Sequence, residues 1–180
     1  MTEINSQYSI GDWVVHHAHG IGQIKKIEER PIHGELVACF RVTTRAGAYW
    51  FPRNGADNPR IRPVASQDMF ERVQIELQKT VRDLDPDRIL WRSRIDEVRA
   101  SDDLIATSQI VRDFTILRTQ RKLNQTEKMA LDHFTDRLLQ EWSATMNIEI
   151  ETIRPKLNSY LEVYKERSRS PEMSESDWIK

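Results

Sequence analysis

Short apolar runs separated by turn residues characterise the chain up to about Ala65. Runs of Val, Ile, Phe, Tyr and Trp alternate with Gly, Pro and Asn, which is typical of short strands joined by turns. One face of a strand is visible at period two, formed by Leu36, Ala38, Phe40 and Val42. The pattern predicts strands near Trp13–His16, Ile21–Ile27, Leu36–Thr44, Ala48–Pro52 and Ile61–Val64. Five such strands on so short a segment favour a small, strongly bent SH3-like barrel with a minimal core.

Beyond Ala65 the apolar spacing changes to three and four, which indicates amphipathic helices. The first helix is predicted over Gln67–Leu84, and a second, Arg-rich helix runs from the N-cap Asp87 to about Ala100. The remaining helices are predicted over Leu104–Arg121, from the capping box Asn124-Gln125-Thr126-Glu127 onwards, and over Glu149–Glu166. Pro155 lies within the last range, so that helix either starts at Arg154 or is bent. The predicted fold class is therefore α+β, a small SH3-like β-barrel followed by an all-α domain of four to five helices.

The distribution of glycine and charge divides the chain at the same place. All six glycines lie in the first third, and residues 56–180 contain none. Residues 1–65 hold 8 Lys+Arg against 6 Asp+Glu, whereas the remainder holds 19 against 22. We expect a barrel domain over 1–65, a helical domain over 66–166 and a flexible tail over 167–180. Any contact of the acidic helical domain with DNA must be local and weak unless a partner holds it in place.

Composition excludes several classes of protein. The single cysteine, Cys39, rules out a disulfide framework and a Cys-based zinc site within one chain. Of His16, His17 and His19, at most two converge on one side of an extended segment, so no metal site is expected. Gly20-Ile21-Gly22 lacks the third glycine of a dinucleotide fingerprint, and no phosphate loop occurs. We expect no cofactor and no enzymatic activity, and the absence of a long apolar run predicts a soluble, cytoplasmic protein.

Two groups of motifs carry a resemblance to a known protein family. The first is Tyr8-Ser9-Ile10-Gly11-Asp12-Trp13-Val14-Val15-His16 followed by His19-Gly20-Ile21-Gly22 and Ile32-His33-Gly34-Glu35. The second, in the helical segment, is Ile110-Val111-Arg112-Asp113-Phe114, Arg121-Lys122-Leu123 and Glu127-Lys128-Met129. Together these motifs resemble the CarD/CdnL family of bacterial transcription regulators, which shares its barrel domain with the transcription-repair coupling factor. The resemblance, which covers residues 8–161, implies a Tudor-like barrel that docks on the β subunit of RNA polymerase.

The resemblance also implies the polymerase-binding residues. Arg30 matches the family's basic residue before the isoleucine-x-glycine turn, so Arg30 and Ile32 are candidates for polymerase contacts. Trp50 stands near the position where relatives carry a basic residue before a proline, and Trp50 with Pro52 completes the candidate set. Trp50 suits a small interface anchor, but it suits the barrel core equally well.

The candidate DNA-binding residues lie on the second helix and around the turn between the third and fourth. In the family a tryptophan followed three residues later by arginine touches the upstream edge of the melted promoter, and Trp91 and Arg94 match that spacing. Arg88 and Arg92 lie on the adjoining helical face, where their guanidinium groups suit phosphates. The other reading places Trp91 in the core with Ile95 and Val98. A second basic group surrounds the turn between the third and fourth helices and suits phosphates, namely Arg118, Arg121, Lys122 and Lys128. The alternative for Arg118, Arg121 and Lys122 is that they face a helix C-terminus, where cations are favourable.

From these observations we predict a non-enzymatic transcription regulator, expected to be a monomer. Its barrel binds the polymerase β subunit, and its helical domain contacts upstream promoter DNA within the polymerase complex and stabilises the open complex. The alternative is a protein-interaction adaptor, bound to polymerase or to another partner, that makes no direct DNA contact.

Overall fold

The computed structural model describes residues 7–54, 60–81 and 84–167. Gly55 and nearly all of the predicted tail, from residue 168 onwards, lie outside these residues. The described chain forms five strands followed by five helices, so the predicted fold class is confirmed. Two compact units are formed, one by the residues up to Gln67 with Gln140–Asn147, the other by Asp68–Leu139 with the residues from Ile148 onwards.

The strands form one antiparallel sheet in the order β4-β3-β2-β1-β5. Their bounds are β1 Trp13–His16, β2 Gly20–Ile32, β3 Glu35–Thr44, β4 Ala48–Pro52 and β5 Ile61–Pro63. Alternation at period two sends one set of strand side chains to a common core, namely Val14, Ile24, Phe40, Val42, Tyr49, Phe51 and Ile61. Tyr8, which precedes β1, joins the same core. The register shifts between Ile24 and Lys26, as a β-bulge does, and such bulges bend and twist a sheet.

Two glycines are needed by the sheet. A Cβ on Gly22 would lie 2.5 Å from Val42 Cγ1 and 2.8 Å from the carbonyl oxygen of Thr43, so only glycine allows β2 and β3 to approach this closely. Gly34, with φ 89°, forms the hairpin turn together with His33, whose φ is 51°. Positive φ at both central residues matches the right-handed twist of the flanking strands.

Strand β2 extends five residues beyond the predicted Ile27, through Pro31 to Ile32. Pro31 pairs with Leu36, although proline has no N–H to donate. Strand β1 pairs with β2 only as far as Gln23, so the far side of β2 at Pro31 is not paired with β1. A proline is tolerated where its missing donor faces such an open edge.

The C-terminal end of the fourth helix belongs to the barrel unit. Glu141, which is fully buried, accepts hydrogen bonds from both terminal nitrogens of Arg62 (2.5 and 3.0 Å) and from the backbone N–H of Ala65 (3.0 Å). Thr145 donates its hydroxyl to the carbonyl of Ala65 at 2.9 Å. Ala144 joins Val15 and Ile21 in a second apolar cluster, against which Trp13 and Val64 pack. The sheet therefore completes its core with a helix that is distant in sequence.

The five helices are α1 Gln67–Gln78, α2 Arg88–Ser101, α3 Leu104–Gln120, α4 Gln125–Met146 and α5 Ile150–Arg167. The predicted N-cap Asp87 accepts a hydrogen bond from Ile89 N at 2.8 Å. The predicted capping box is present, because Asn124 Oδ1 accepts from Glu127 N at 2.9 Å and Glu127 Oε2 accepts from Asn124 N at 2.8 Å. Pro155 lies inside α5, which begins before Arg154.

Helix α1 ends at Gln78, six residues before the predicted end at Leu84. Lys79 N donates to the carbonyl of Glu76 at 3.3 Å, a tightened turn that closes the helix. The same carbonyl accepts from Arg112 NH1 at 2.9 Å. A guanidinium from α3 therefore satisfies the end of α1.

Helix α3 is buried around most of its circumference. Its apolar spacing of three and four, which predicted the helix, corresponds to buried side chains, namely Leu104, Ile110, Val111, Phe114 and Leu117. The same helix also buries Arg112 and Asp113, and each of them is paired as buried charges require. Arg112 donates to Glu76 Oε1 at 2.7 Å and to Asp113 Oδ1 at 2.8 Å. Burial by itself would raise the pKa of Glu76, but hydrogen bonds from Lys79 and Arg112 outweigh it and hold that pKa below its usual value.

Candidate functional site

The four predicted polymerase-binding residues lie on one face of the sheet, opposite to the barrel core. Past the bulge, Lys26 pairs with Arg41 and Arg41 with Trp50, while Glu28 pairs with Cys39 and Cys39 with Pro52. Arg30 and Ile32 follow Glu28 at period two on the same side of β2. We call this set of residues the outer face: Lys26, Glu28, Arg30, Ile32, Arg41, Trp50 and Pro52.

Trp50 is held on the outer face and remains 37% exposed, which settles that it is not a member of the barrel core. The guanidinium carbon of Arg30 lies 4.4 Å from its ring centroid, and that of Arg41 lies 5.9 Å away. Its indole Nε1 donates to Glu28 Oε2 at 2.7 Å. Glu28 also pairs with Lys26, and hydrogen bonds from Lys26 and Trp50 lower the pKa of its carboxyl. These contacts fix the orientation of the exposed ring.

Strand β4, which carries Trp50, lies at one end of the strand order, so its second edge is unpaired within the described sheet. Thr44 N bonds to Gly47 O at 2.8 Å and Arg53 N to Ala38 O at 2.9 Å. Thr44 with Gly47 and Ala38 with Arg53 are therefore hydrogen-bonded pairs. Bonded and non-bonded pairs alternate along an antiparallel ladder, which makes Arg41 with Trp50 a non-bonded pair. The N–H and C=O of Trp50 consequently point away from β3. The exposed indole and this free backbone edge are therefore adjacent.

Trp91 lies in the core of the helical unit. Its side chain is 4% exposed, and its ring lies 5.2 Å from that of Phe114. The indole Nε1 donates to the carbonyl of Asp85 at 2.6 Å. Ile95 and Val98 are buried on the same face of α2. The structure therefore supports the interpretation that Trp91 is a core residue. A contact between Trp91 and DNA stays a prediction, and it requires the indole to leave this site.

Two of the predicted DNA-binding arginines are held in ion pairs. Arg94 pairs with the buried Asp113 at 2.9 Å, and its guanidinium lies 5.2 Å from the Trp91 ring centroid. Arg121 donates to both carboxylate oxygens of Glu127, at 2.9 and 2.8 Å. That double hydrogen bond is the main reason why the pKa of Arg121 is raised and that of Glu127 is lowered. Both arginines contribute to the packing of the unit in the conformation described.

The other predicted cations, Arg88, Arg92, Lys122 and Lys128, are exposed. Sequence reasoning missed two neighbours of the first pair, because Ile89 is 78% exposed and Leu90 is 54% exposed. At about 100° per residue, Ile89 lies on the side of α2 opposite to the buried Trp91 stripe. That angle was a signal in the sequence, since an isoleucine facing away from an apolar stripe has no place in the core. Exposed apolar side chains between arginines are typical of a binding surface.

Two sequence models of known protein domains match this chain. The model of the CarD-like/TRCF RID domain matches residues 8–48, and the model of the CarD C-terminal domain matches residues 90–158. The matched segments cover strands β1 to β3 and most of helices α2 to α5, and together they exceed half of the chain. The chain therefore belongs to the CarD/CdnL family, whose members are transcription regulators and not enzymes.

One relative matches over nearly the whole fold. It is YdeB of Bacillus subtilis (strain 168), a protein named for a proposed role as a transcription factor. The two sequences are 25% identical over 154 residues, which is 82% of this chain and 97% of the relative. In the described ranges, no helix is both long and apolar enough to cross a membrane.

Proposed function

We propose that this protein binds the β subunit of RNA polymerase through its outer face and the free edge of β4. The observation that carries the proposal is the gathering of Arg30, Ile32, Trp50 and Pro52 on one face of the sheet. Arg30 and Trp50 are exposed there, and Ile32 and Pro52 are half-buried. Trp50 supplies a rigid aromatic anchor, and anchors of this kind dominate binding energy at interfaces. The adjacent backbone edge offers hydrogen bonds to an added strand, which is a recurring mode of peptide recognition. The match to the CarD-like/TRCF RID domain supports the same assignment.

The second half of the proposal is that the helical unit contacts upstream promoter DNA and stabilises the open complex. Arg88 and Arg92 are exposed cations on α2, and Ile89 and Leu90 form an apolar tip beside them. Arginine donates to phosphates, and an apolar side chain can wedge against an unstacked base step. Lys122 and Lys128 add exposed charge near the start of α4. We assign the contact to these residues first, and to Trp91, Arg94 and Arg121 only if their side chains are released.

Binding to polymerase makes a weak DNA contact sufficient. A tethered site meets DNA at an effective concentration on the order of mM for a short linker. A surface that prefers melted over closed DNA shifts the closed-to-open equilibrium by the difference between its two affinities. No catalytic step is needed for such an effect.

The polymerase contact is tested by replacing Trp50 with alanine in the full chain. Loss of the anchor should weaken binding to polymerase, or to an isolated β-subunit lobe, by about 10-fold or more, since truncation of an interface anchor costs about 2 kcal/mol. Leu36→Ala is the matched control, because Leu36 is 71% exposed and lies on the neighbouring strand β3, on the face opposite to that of Trp50. Unchanged affinity of the Trp50→Ala variant, measured by interferometry, would remove the outer face from the interface.

A protein adaptor without a DNA contact is the second candidate. It is favoured by the charge of the helical portion, where residues 66–180 hold 19 Lys+Arg against 22 Asp+Glu. The two candidates differ in their dependence on salt, because phosphate contacts weaken steeply as the salt concentration rises.

A further inference from the structure

A cavity of about 330 Å³ opens between α2 and the first turn of α4. Arg88 and Arg92 line one side, and Asn124, Thr126 and Glu127 line the other. Ile95, which is 1% exposed, and Ile89 at the rim supply the apolar part of the wall. All of these residues belong to the helical unit.

The charge inside this cavity is positive. Arg88 and Arg92 lie about 40° apart on α2, four residues from each other, and so project in nearly the same direction. Neither forms an ion pair within the described part of the chain. The one acidic residue of the lining, Glu127, has both carboxylate oxygens occupied, by Arg121 and by the N–H of Asn124. Arg88 interacts electrostatically with Glu127, but that carboxylate is already hydrogen-bonded to Arg121. The wall thus carries two guanidinium groups against one carboxylate that a third guanidinium also neutralises, which leaves an excess of positive charge.

The uncharged polar groups of the wall also favour an anion. Asn124 uses its side-chain oxygen to accept from Glu127 N, which leaves its NH2 group as a donor. The hydroxyl of Thr126 makes no hydrogen bond among the described residues and can donate as well. A ligand in this cavity thus meets donors on two sides, and the acceptors that it would otherwise encounter are already satisfied.

We infer that this cavity is a phosphate-binding site, in which Arg88 and Arg92 neutralise the phosphate while Asn124 and Thr126 donate hydrogen bonds to it. Planar guanidinium groups bind phosphate oxygens bidentately. Identifying the ligand as a backbone phosphate of promoter DNA rests on the proposed function. A free nucleotide offers the same phosphate chemistry, and its base would meet Ile89 and Ile95.

The test titrates the full chain with three probes, namely inorganic phosphate, ATP and a short double-stranded DNA, and follows backbone amide resonances by NMR. The expected result is a shift of the amides around residues 88–92 and 124–127 with at least one probe. Thr126→Val keeps the size of the side chain and removes only the hydroxyl, and Arg92→Ala removes one guanidinium. Each should weaken binding of the responding probe about threefold to tenfold. Arg72→Ala, on an exposed position of α1 outside the cavity, should change it less than twofold.

The outcomes separate this inference from the proposed function. Absence of shifts at these amides with all three probes overturns the inference. Equal affinity of Thr126→Val, Arg92→Ala and the parent chain overturns it too, even if the parent chain prolongs the lifetime of open promoter complexes. Binding of ATP or phosphate to the cavity without competition by DNA supports the site and assigns it to a free nucleotide. Thermal unfolding of each variant confirms that the fold is intact.

Discussion

At the scale of single residues, the ion pairs of the helical unit decide which cations are available for binding. Arg121 was a candidate for phosphate contact, yet its guanidinium is the partner of the buried Glu127, which is 2% exposed. A buried carboxylate that loses its partner is strongly destabilising. The pair thus has a structural role, and it fixes the capping box of Asn124 and Glu127 beside the cavity.

The contribution of the Glu127 charge to the stability of the fold should depend on pH. Hydrogen bonds from Arg121 lower the pKa of Glu127 in the folded chain below its usual value of 4.5. A lowered acid pKa gives stability that is present above the unfolded-state pKa and is lost as pH falls toward the folded-state pKa. Glu127→Gln should therefore be less stable than the parent chain at pH 7, and the difference should shrink below about pH 4.5.

Urea unfolding of both chains between pH 7 and pH 3 measures this difference. Glutamine retains a capping-box side chain, so the comparison isolates the charge. The matched control is Glu71→Gln, an exposed position inside α1 where the same substitution should change stability by less than about 0.5 kcal/mol. A pH-independent difference for Glu127→Gln would show that the charge of Glu127 is not what stabilises the pair.

At the scale of elements, the local pattern of apolar residues predicted most of the strands and helices. Contacts between residues far apart in sequence account for the bounds that this pattern missed. Strands β1 and β4 have the predicted bounds, because Trp13–His16 and Ala48–Pro52 are delimited by residues that stop a strand. The early end of α1 depends on Arg112, a residue from another helix, which no local periodicity can indicate.

The candidate site was predictable only in part, for the same reason. The resemblance identified Arg30 and Trp50, but their contact across the sheet depends on a register that includes a bulge. The core position of Trp91 follows from the Ile95 and Val98 stripe. By contrast, the cavity beside α2 forms only because the start of α4 lies next to α2. The spacing of residues along either helix does not specify that arrangement.

The end of α4 should be essential for the stability of the barrel unit. Glu141→Gln removes the charge that accepts from Arg62 while keeping an oxygen for the N–H of Ala65. Hydrogen bonds to charged groups contribute about 1.5–3 kcal/mol, so we expect a loss of about 2 kcal/mol. Amide hydrogen exchange should show the loss of protection at Val14, Ile24 and Phe40, which are core residues of that unit.

Its control is again Glu71→Gln, because Glu71 belongs to the other unit, which includes Asp68–Leu139. Unaltered exchange at the three core amides in Glu141→Gln would mean that the Arg62 pair contributes little to the barrel.

At the scale of the whole molecule, the charge balance limits how the protein can act on DNA. The net charge is −1, and the positive excess lies in residues 1–65. Such a chain has little attraction for DNA on its own. Its proposed effect on promoters therefore depends on being held there by polymerase.

Salt should separate the two proposed contacts. Raising the salt concentration from about 50 to 200 mM should reduce the prolongation of open-complex lifetime several-fold, because each phosphate contact contributes about 0.9 to the slope of log affinity against log salt. Polymerase binding through Trp50 should change less over the same range, since apolar burial is not screened. Open-complex decay and polymerase binding are measured in parallel, and an effect on lifetime that persists unchanged at high salt would favour the adaptor.

The contribution of Gln140–Asn147 to the barrel unit also bears on how the chain folds during synthesis. All five strands are made before residue 64, yet the partners of Arg62 and Ala65 are translated more than 70 residues later. Domains generally fold as units in the order in which they leave the ribosome. Here the strands are translated before Ala144, so the Val15 and Ile21 cluster should be completed only after residues 140–147 have left the ribosome, although Trp13 and Val64 can pack against it earlier.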